Sequence, residues 1–209
     1  MSDQPQISDP GKYSNWCSIA PKPHLMTGFF REWFINHFVN ADNIEAKELR
    51  GKLWRAVAST DIVIESITQW RPDLTQKKLA IIIKRNDWQP QRISIDDRLH
   101  GGLPTSANRE HSILIAGSHT FFCLAGKGTE AEILAAEVYR EMMQFGPIIR
   151  DELDLKRFSL VSVGSLFELE EWKETYGVPV TVSYVADENW TLVPQAPVLK
   201  RIVLSKFLP

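Results

Sequence analysis

Cysteine is scarce in this sequence: among 209 residues only Cys17 and Cys123 carry thiols. Two thiols so far apart make no disulfide framework and suit a reducing compartment in which both stay free. A surplus of one charge is also missing. Lys and Arg number 24 and Asp and Glu 26, a formal net charge of -2 with a pI near 6.2. A chain whose main task was coating nucleic acid would be basic. Long apolar runs are absent: the most apolar early stretch, residues 29–39, contains Arg31, Glu32, Asn36 and His37, too short and too polar to span a bilayer. The opening MSDQPQISDPGKYSNW has neither a basic start nor an apolar core, so no secretory signal is expected and a soluble, cytoplasmic protein is. There is no internal repeat and no low-complexity tract. With 44% hydrophobic and 24% charged residues, 11 Gly and 12 Pro, collagen-like, coiled-coil and wholly disordered chains are excluded. A chain of this length forms one domain, with or without an appendage, and buries roughly 70% of its unfolded surface without a metal or disulfide staple.

Motifs that name a chemistry are equally lacking. Gly126-Lys127-Gly128-Thr129 lies between a strand and a helix start, where backbone N–H groups can hold a phosphate. A P-loop needs glycine five residues before Gly126 and Ser or Thr after Lys127; those positions hold Phe121 and Gly128. Pro72-Asp73 followed by Ile81-Ile82-Ile83-Lys84 has the layout of a metal-dependent nuclease, but Ile82 occupies the acidic position and cannot ligate Mg²⁺. His111 and His119 share a strand face, about 26 Å apart, too far to share an ion. Cys123 sits in a strand as a small apolar group, and Ser118 and His119 point to opposite faces. No catalytic, cofactor-binding or metal residue is therefore assigned, and no enzyme is expected.

What is present is a pattern of elements. Residues 1–23, with Pro5, Pro10, Pro21 and Pro23, have no period and read as an extended arm able to order against a neighbour through Tyr13, Trp16 and Ile19. Residues 24–209 read as a single domain. Met26, Phe29, Phe30, Trp33, Phe34, His37 and Phe38 make one face of a helix, with Thr27 as N-cap. A short helix around Ile44, Leu49, Leu53 and Trp54 is opposed by Gly51. Residues 61–67 and 79–85 read as strands, the second buried on both faces. Residues 92–95 read as a short edge strand, and 96–108 as a long exposed loop. Residues 109–124 form a long strand. Thr129 and Glu132 then make a capping box for a helix lined by Leu134, Val138, Met142 and Phe145, which Gly146 and Pro147 end. Strands follow at 158–163, 178–185 and 198–204. The order predicts an α+β fold: a mainly antiparallel sheet with hairpin-like connections, two principal helices on one face and an N-terminal arm. Most of the 7 tryptophans are expected to fill the core. Residues 128–174 hold 11 acidic and 5 basic side chains, whereas the tail after Trp190 holds Lys200, Arg201 and Lys206 and no acid.

This layout resembles the tail terminator and neck proteins of tailed bacteriophages. The resemblance covers residues 25–204. It rests on the early aromatic helix, the hairpin of strands that follows it, the long strand running into the capped helix from Thr129 to Phe145, and final antiparallel strands ending in Tyr176-Gly177-Val178-Pro179-Val180-Thr181-Val182, then Trp190 with Pro194 and Pro197. It implies a non-enzymatic virion protein forming a ring, commonly a hexamer, that caps the tail tube and meets the head-side connector; a collar or head-completion protein at the same junction is the alternative. It implies no cofactor and no membrane, a virion location after assembly in the host cytoplasm, and DNA passing through the lumen without specific binding. A lumen lined by the acidic segment suits that passage. Trp16, Arg98, Arg109, Trp190, Lys200 and Arg201 are the expected subunit and partner contacts. A small hydrolase or nuclease with an unrecognised site is the remaining alternative.

Overall fold

The computed structural model describes residues 21–56, 60–71, 78–92, 109–169 and 174–192, with backbone alone for 92, 109–111 and 190–192. The chain divides into two compact units. The larger comprises Ala20–Pro90 and Ile115–Ala186, the smaller Met1–Ile19, Gln91–Leu114 and Asp187–Pro209.

Helix α1 spans Pro23–Val39 and begins with proline at its first position, where a missing N–H costs nothing. Lys22 precedes it in an extended conformation, and its carbonyl accepts the N–H groups of Leu25 (2.9 Å) and Met26 (3.1 Å). Thr27 is thus inside the helix, not its N-cap. Met26, Phe30, Phe34 and Phe38, one turn apart, are all buried. The Asn40 side chain accepts the Asp42 N–H and opens a single 3-10 turn, Ala41–Asn43. The helix expected around Ile44 and Leu49 is replaced by turns that bury both side chains.

The strands are β1 (Ile62–Ser66), β2 (Leu79–Arg92), β3 (Arg109–Ala125), β4 (Arg157–Val163), β5 (Phe167–Glu168) and β6 (Tyr176–Leu192). They form one mixed, mostly antiparallel sheet in the order β1-β2-β3-β6-β4, with β5 also beside β6. Only part of the expected hairpin connectivity holds: β1 runs parallel to β2, Ile62 opposite Leu79 and Ser66 opposite Ile83, so the chain crosses over between them. β4 is antiparallel to β6, from Arg157 opposite Val185 to Val163 opposite Val180, with a bulge between Leu160 and Ser162. β2 continues as one strand through the polar Asn86–Arg92 segment, where the sequence suggests a break.

Both helices cover one face. The Phe30 ring meets Phe121, His119 and Phe158, Phe34 meets Phe121, and a Cβ on Gly146 would lie 3.4 Å from Phe158. The opposite face buries Ala80, Ile82 and Leu124 beneath Val63, Trp70, Phe122, Phe167 and Leu169. β2 is therefore buried on both sides at residues 80–83, as its apolar run predicts. The architecture is α+β. No helix among the described residues is long and apolar enough to cross a membrane.

Helix α2 spans Gly128–Glu152, two turns longer than the sequence suggests. Its N-cap is Lys127, which makes no side-chain cap bond, so the Thr129–Glu132 box is not formed. The helix passes through Gly146 and Pro147. Proline removes one intrahelical hydrogen bond, but the added turns bury Ile149, and the missing Cβ of Gly146 lets Phe158 approach.

Gly117 on β3 is fixed by a similar approach. A Cβ there would lie 2.6 Å from Cζ and 2.7 Å from the hydroxyl of Tyr184, itself buried. We expect Gly117→Ala to lower stability by about 1–3 kcal/mol through overpacking, read as an earlier urea midpoint with unchanged slope. An unaltered midpoint would show that Tyr184 moves freely.

Candidate functional site

All six sequence-chosen contact residues fall within the ranges of the smaller unit. Trp16, Arg98, Lys200 and Arg201 lie outside the described residues, as do most of the arm, the 96–108 loop and the 198–204 strand. Arg109 is the first residue of β3 and Trp190 lies near the end of β6, both described by backbone alone.

Inside the larger unit, the ionisable side chains form a site that sequence reading passes over. α1 carries His37 on its buried face, and α2 presents Glu137 and Glu141, one turn apart, to meet it. His37 Nε2 lies 3.1 Å from Glu137 Oε1 and Nδ1 lies 3.1 Å from Glu141 Oε2. Ionised carboxylates only accept hydrogen bonds, so both ring nitrogens donate and the imidazole is a cation. Burial alone would push His37 down; the hydrogen bonds to Glu137 and Glu141 and their charges more than offset it, raising it from 6.5 to about 9.

The carboxylates are held from further directions. Trp33 donates Nε1–H to Glu141 at 2.9 Å. Glu137 accepts the backbone N–H groups of Glu45 and Ala46, each at 3.1 Å, and the Arg140 guanidinium, which also pairs with Glu45. Burial would raise the Glu137 carboxyl; the His37 hydrogen bond, these N–H groups and the Arg140 charge hold it below its usual range. The network joins α1, the 44–46 turn and α2. Each carboxylate oxygen and each ring nitrogen of the network is engaged within it, so its chemistry is cross-linking. It also removes two of the eleven carboxylates of residues 128–174 from any surface, which weakens the idea of that segment as a lumen lining.

A second histidine is buried with the opposite polarity. His119 on β3 is stacked on Tyr184, ring centroids 5.7 Å apart, and tilted against Phe30. Thr27 donates its one hydroxyl proton to the Pro23 carbonyl at 3.1 Å, so His119 donates Nε2–H to the Thr27 oxygen at 2.9 Å. Nδ1 has no hydrogen-bond partner among the described residues. Burial first, then the charge of Arg85, pushes His119 down to about 4, and it is neutral. Burial also raises Tyr184 to about 12, opposed by Arg85. Cys123 is fully buried and its thiol pushed up, which makes it an unreactive core residue as the sequence suggests.

The Gly126–Thr129 turn borders an open, shallow depression of about 590 Å³, lined also by Glu132, Leu166, Glu174 and Tyr176. Lys127 pairs with Glu130 at 3.8 Å. The carboxylates of Glu132 and Glu174 in the lining, with Glu130 beside Lys127, oppose an anion there. Among the described residues no group of three or more His, Cys, Asp or Glu is placed to hold a metal ion.

The remaining feature is an exposed apolar strip along the sheet's β4 edge. Val161 is 59% exposed, Met143 53%, Val163 44%, Leu166 42% and Tyr139 40%. A soluble domain does not normally leave side chains of this size clustered in water. No protein-family model matches the chain, and no curated protein sequence does either.

Proposed function

We propose that this chain is a non-enzymatic subunit of a phage tail: a terminator that assembles as a ring, commonly a hexamer, on the end of the tail tube and joins it to the head-side connector, in the virion. The observation that carries the reading is the order of elements. An aromatic helix, the strands β1 to β3, a long helix and the closing antiparallel strands stand in the order on which the resemblance rests, with β1 parallel to β2 where that resemblance implies a hairpin. The buried chemistry is compatible with it. His37, Glu137 and Glu141 are bound to one another, His119 is held neutral against Tyr184, and Cys123 is sealed in the core. A ring needs heterologous contacts that close, and the six residues chosen from the sequence are the first to substitute.

Mixing the chain with tail tube protein tests the reading. Light scattering after size exclusion should show a ring-sized complex that caps tubes and limits their length. Alanine at Arg98 or Arg109 should weaken assembly and leave the thermal midpoint of the free chain in place. Tubes that grow unchanged in its presence, or a chain that cleaves DNA with a divalent cation, would overturn it.

A further inference from the structure

Among the described residues the β4 edge has an unpaired hydrogen-bonding row and an apolar flank, and its charge pattern selects what fits. Among the described residues β4 is the last strand of the sheet, and no described strand lies beside its outer N–H and C=O groups. Edges are normally protected by charge. Here Phe158–Gly164 contains no charged residue. Leu160 and Val163 sit opposite Val182 and Val180, whose side chains are buried, and Val161 is the extra residue of the bulge.

Helix α2 adds to the same strip. A Cβ on Gly128 would lie 3.0 Å from Leu166 and one on Gly146 3.4 Å from Phe158. These glycines are five helical turns apart on one line facing β4. Tyr139 projects roughly 20° from that line and Met143 roughly 60°. The exposed side chains of α2 and of the edge thus form one surface within the larger unit.

We propose that a second copy of this chain covers this surface by antiparallel pairing of β4 with β4 about a two-fold axis. The ends of the edge decide the partner and its direction. Arg157 stands at the start of the neutral stretch, and Glu168 stands just beyond its end, on β5. Antiparallel pairing of two copies sets each basic end beside the acidic end of the other, twice; parallel pairing sets like beside like. The bulge at Val161 twists the edge away from a flat foreign strand, whereas a copy carries the same twist. The strip on the helix side is doubled across the axis, α2 approaching α2. This contact differs from the head-to-tail contacts of a ring, and stands or falls separately from them.

Analytical ultracentrifugation of the full chain alone reads the result. The wild type should be a dimer. Val161→Lys, at an exposed site, should give a monomer whose urea midpoint does not depend on protein concentration and matches that of the wild type diluted below its dissociation constant. Arg157→Glu or Glu168→Arg alone should each raise the dimer dissociation constant about tenfold or more, since each puts like charges together at two places. The double variant should restore it, because the two-fold returns opposite charges to the same positions. A monomeric wild type, a dimer insensitive to Val161→Lys, or single swaps that the double variant fails to rescue would each defeat the proposal. A ring-sized species of the free chain would also defeat it, and would leave the tail-tube assembly reading standing.

Discussion

Glu137→Ala should be among the most damaging single substitutions in this protein, lowering stability by about 3–5 kcal/mol. The carboxylate is 2% exposed and accepts from an imidazolium, a guanidinium and two backbone N–H groups. Removing it leaves His37 charged and buried with one carboxylate where it had two. It also strands the N–H groups of Glu45 and Ala46 at the turn that follows α1. Loss of a partner in a buried ion pair costs more than the pair itself contributes, because the remaining charge is no longer compensated. Urea unfolding followed by tryptophan fluorescence measures this directly, since Trp33 donates to the neighbouring Glu141. Glu141→Gln, which keeps one acceptor oxygen for Trp33 or His37 and leaves the bonds of Glu137 to His37, Arg140 and the 45–46 backbone in place, should cost less. Equal and small losses in the two variants, below about 1 kcal/mol, would mean that the network carries little of the fold's stability.

The comparison of these two glutamates with their neighbours shows where sequence reading succeeds. Leu134, Val138 and Met142 announce the buried face of α2 by their spacing, and all three are buried. Glu137 and Glu141 flank that face, and charged residues there normally reach water. Their burial depends on His37, one hundred residues away for Glu137, and no local rule connects them. His37 itself was legible as part of the apolar face of α1; its charge was not. The same division runs through the fold. The apolar run at 79–83 and the alternation at 178–184 mark strands because burial repeats along them. The polar half of β2, Asn86–Arg92, is held by its neighbours in the sheet and has no such signal. Pairing is less legible still: the parallel register of β1 on β2 follows from the crossover between them, not from either strand's composition. Gly146 and Pro147 are stop signals by local propensity, overridden here because Ile149 is buried by continuing.

The two buried histidines should shape the pH dependence of stability in opposite directions and place its maximum near the ordinary histidine value of about 6.5. His37 is raised to about 9 in the folded chain. The folded state holds its proton more tightly than the unfolded one, so its contribution is complete below about 6.5 and is lost as the pH rises through 9. His119 is lowered to about 4. The unfolded chain takes up that proton first, so stability is complete above about 6.5 and declines as the pH falls toward 4. Each limb is on the order of a few kcal/mol. Glu137, held below its usual range, adds to the acid limb once the pH is under that range. The groups facing His37 are Glu137 and Glu141, with Arg140 on the far side of Glu137; those facing His119 are Thr27, Tyr184 and Arg85. Differences between variants isolate each limb from the carboxylates elsewhere. His37→Gln should flatten the profile between pH 6.5 and 9, leave the fall just below pH 6.5 that belongs to His119 in place, and reduce the contribution of Glu137 in the carboxylate range. His119→Gln should flatten the fall between pH 6.5 and 4 and leave the alkaline side in place. Urea midpoints from pH 4 to 9 for the three proteins provide the measurement. If His37→Gln left the alkaline limb in place, or neither variant changed the profile, the assignment of a charged histidine between two glutamates and a neutral one beside Tyr184 would be wrong.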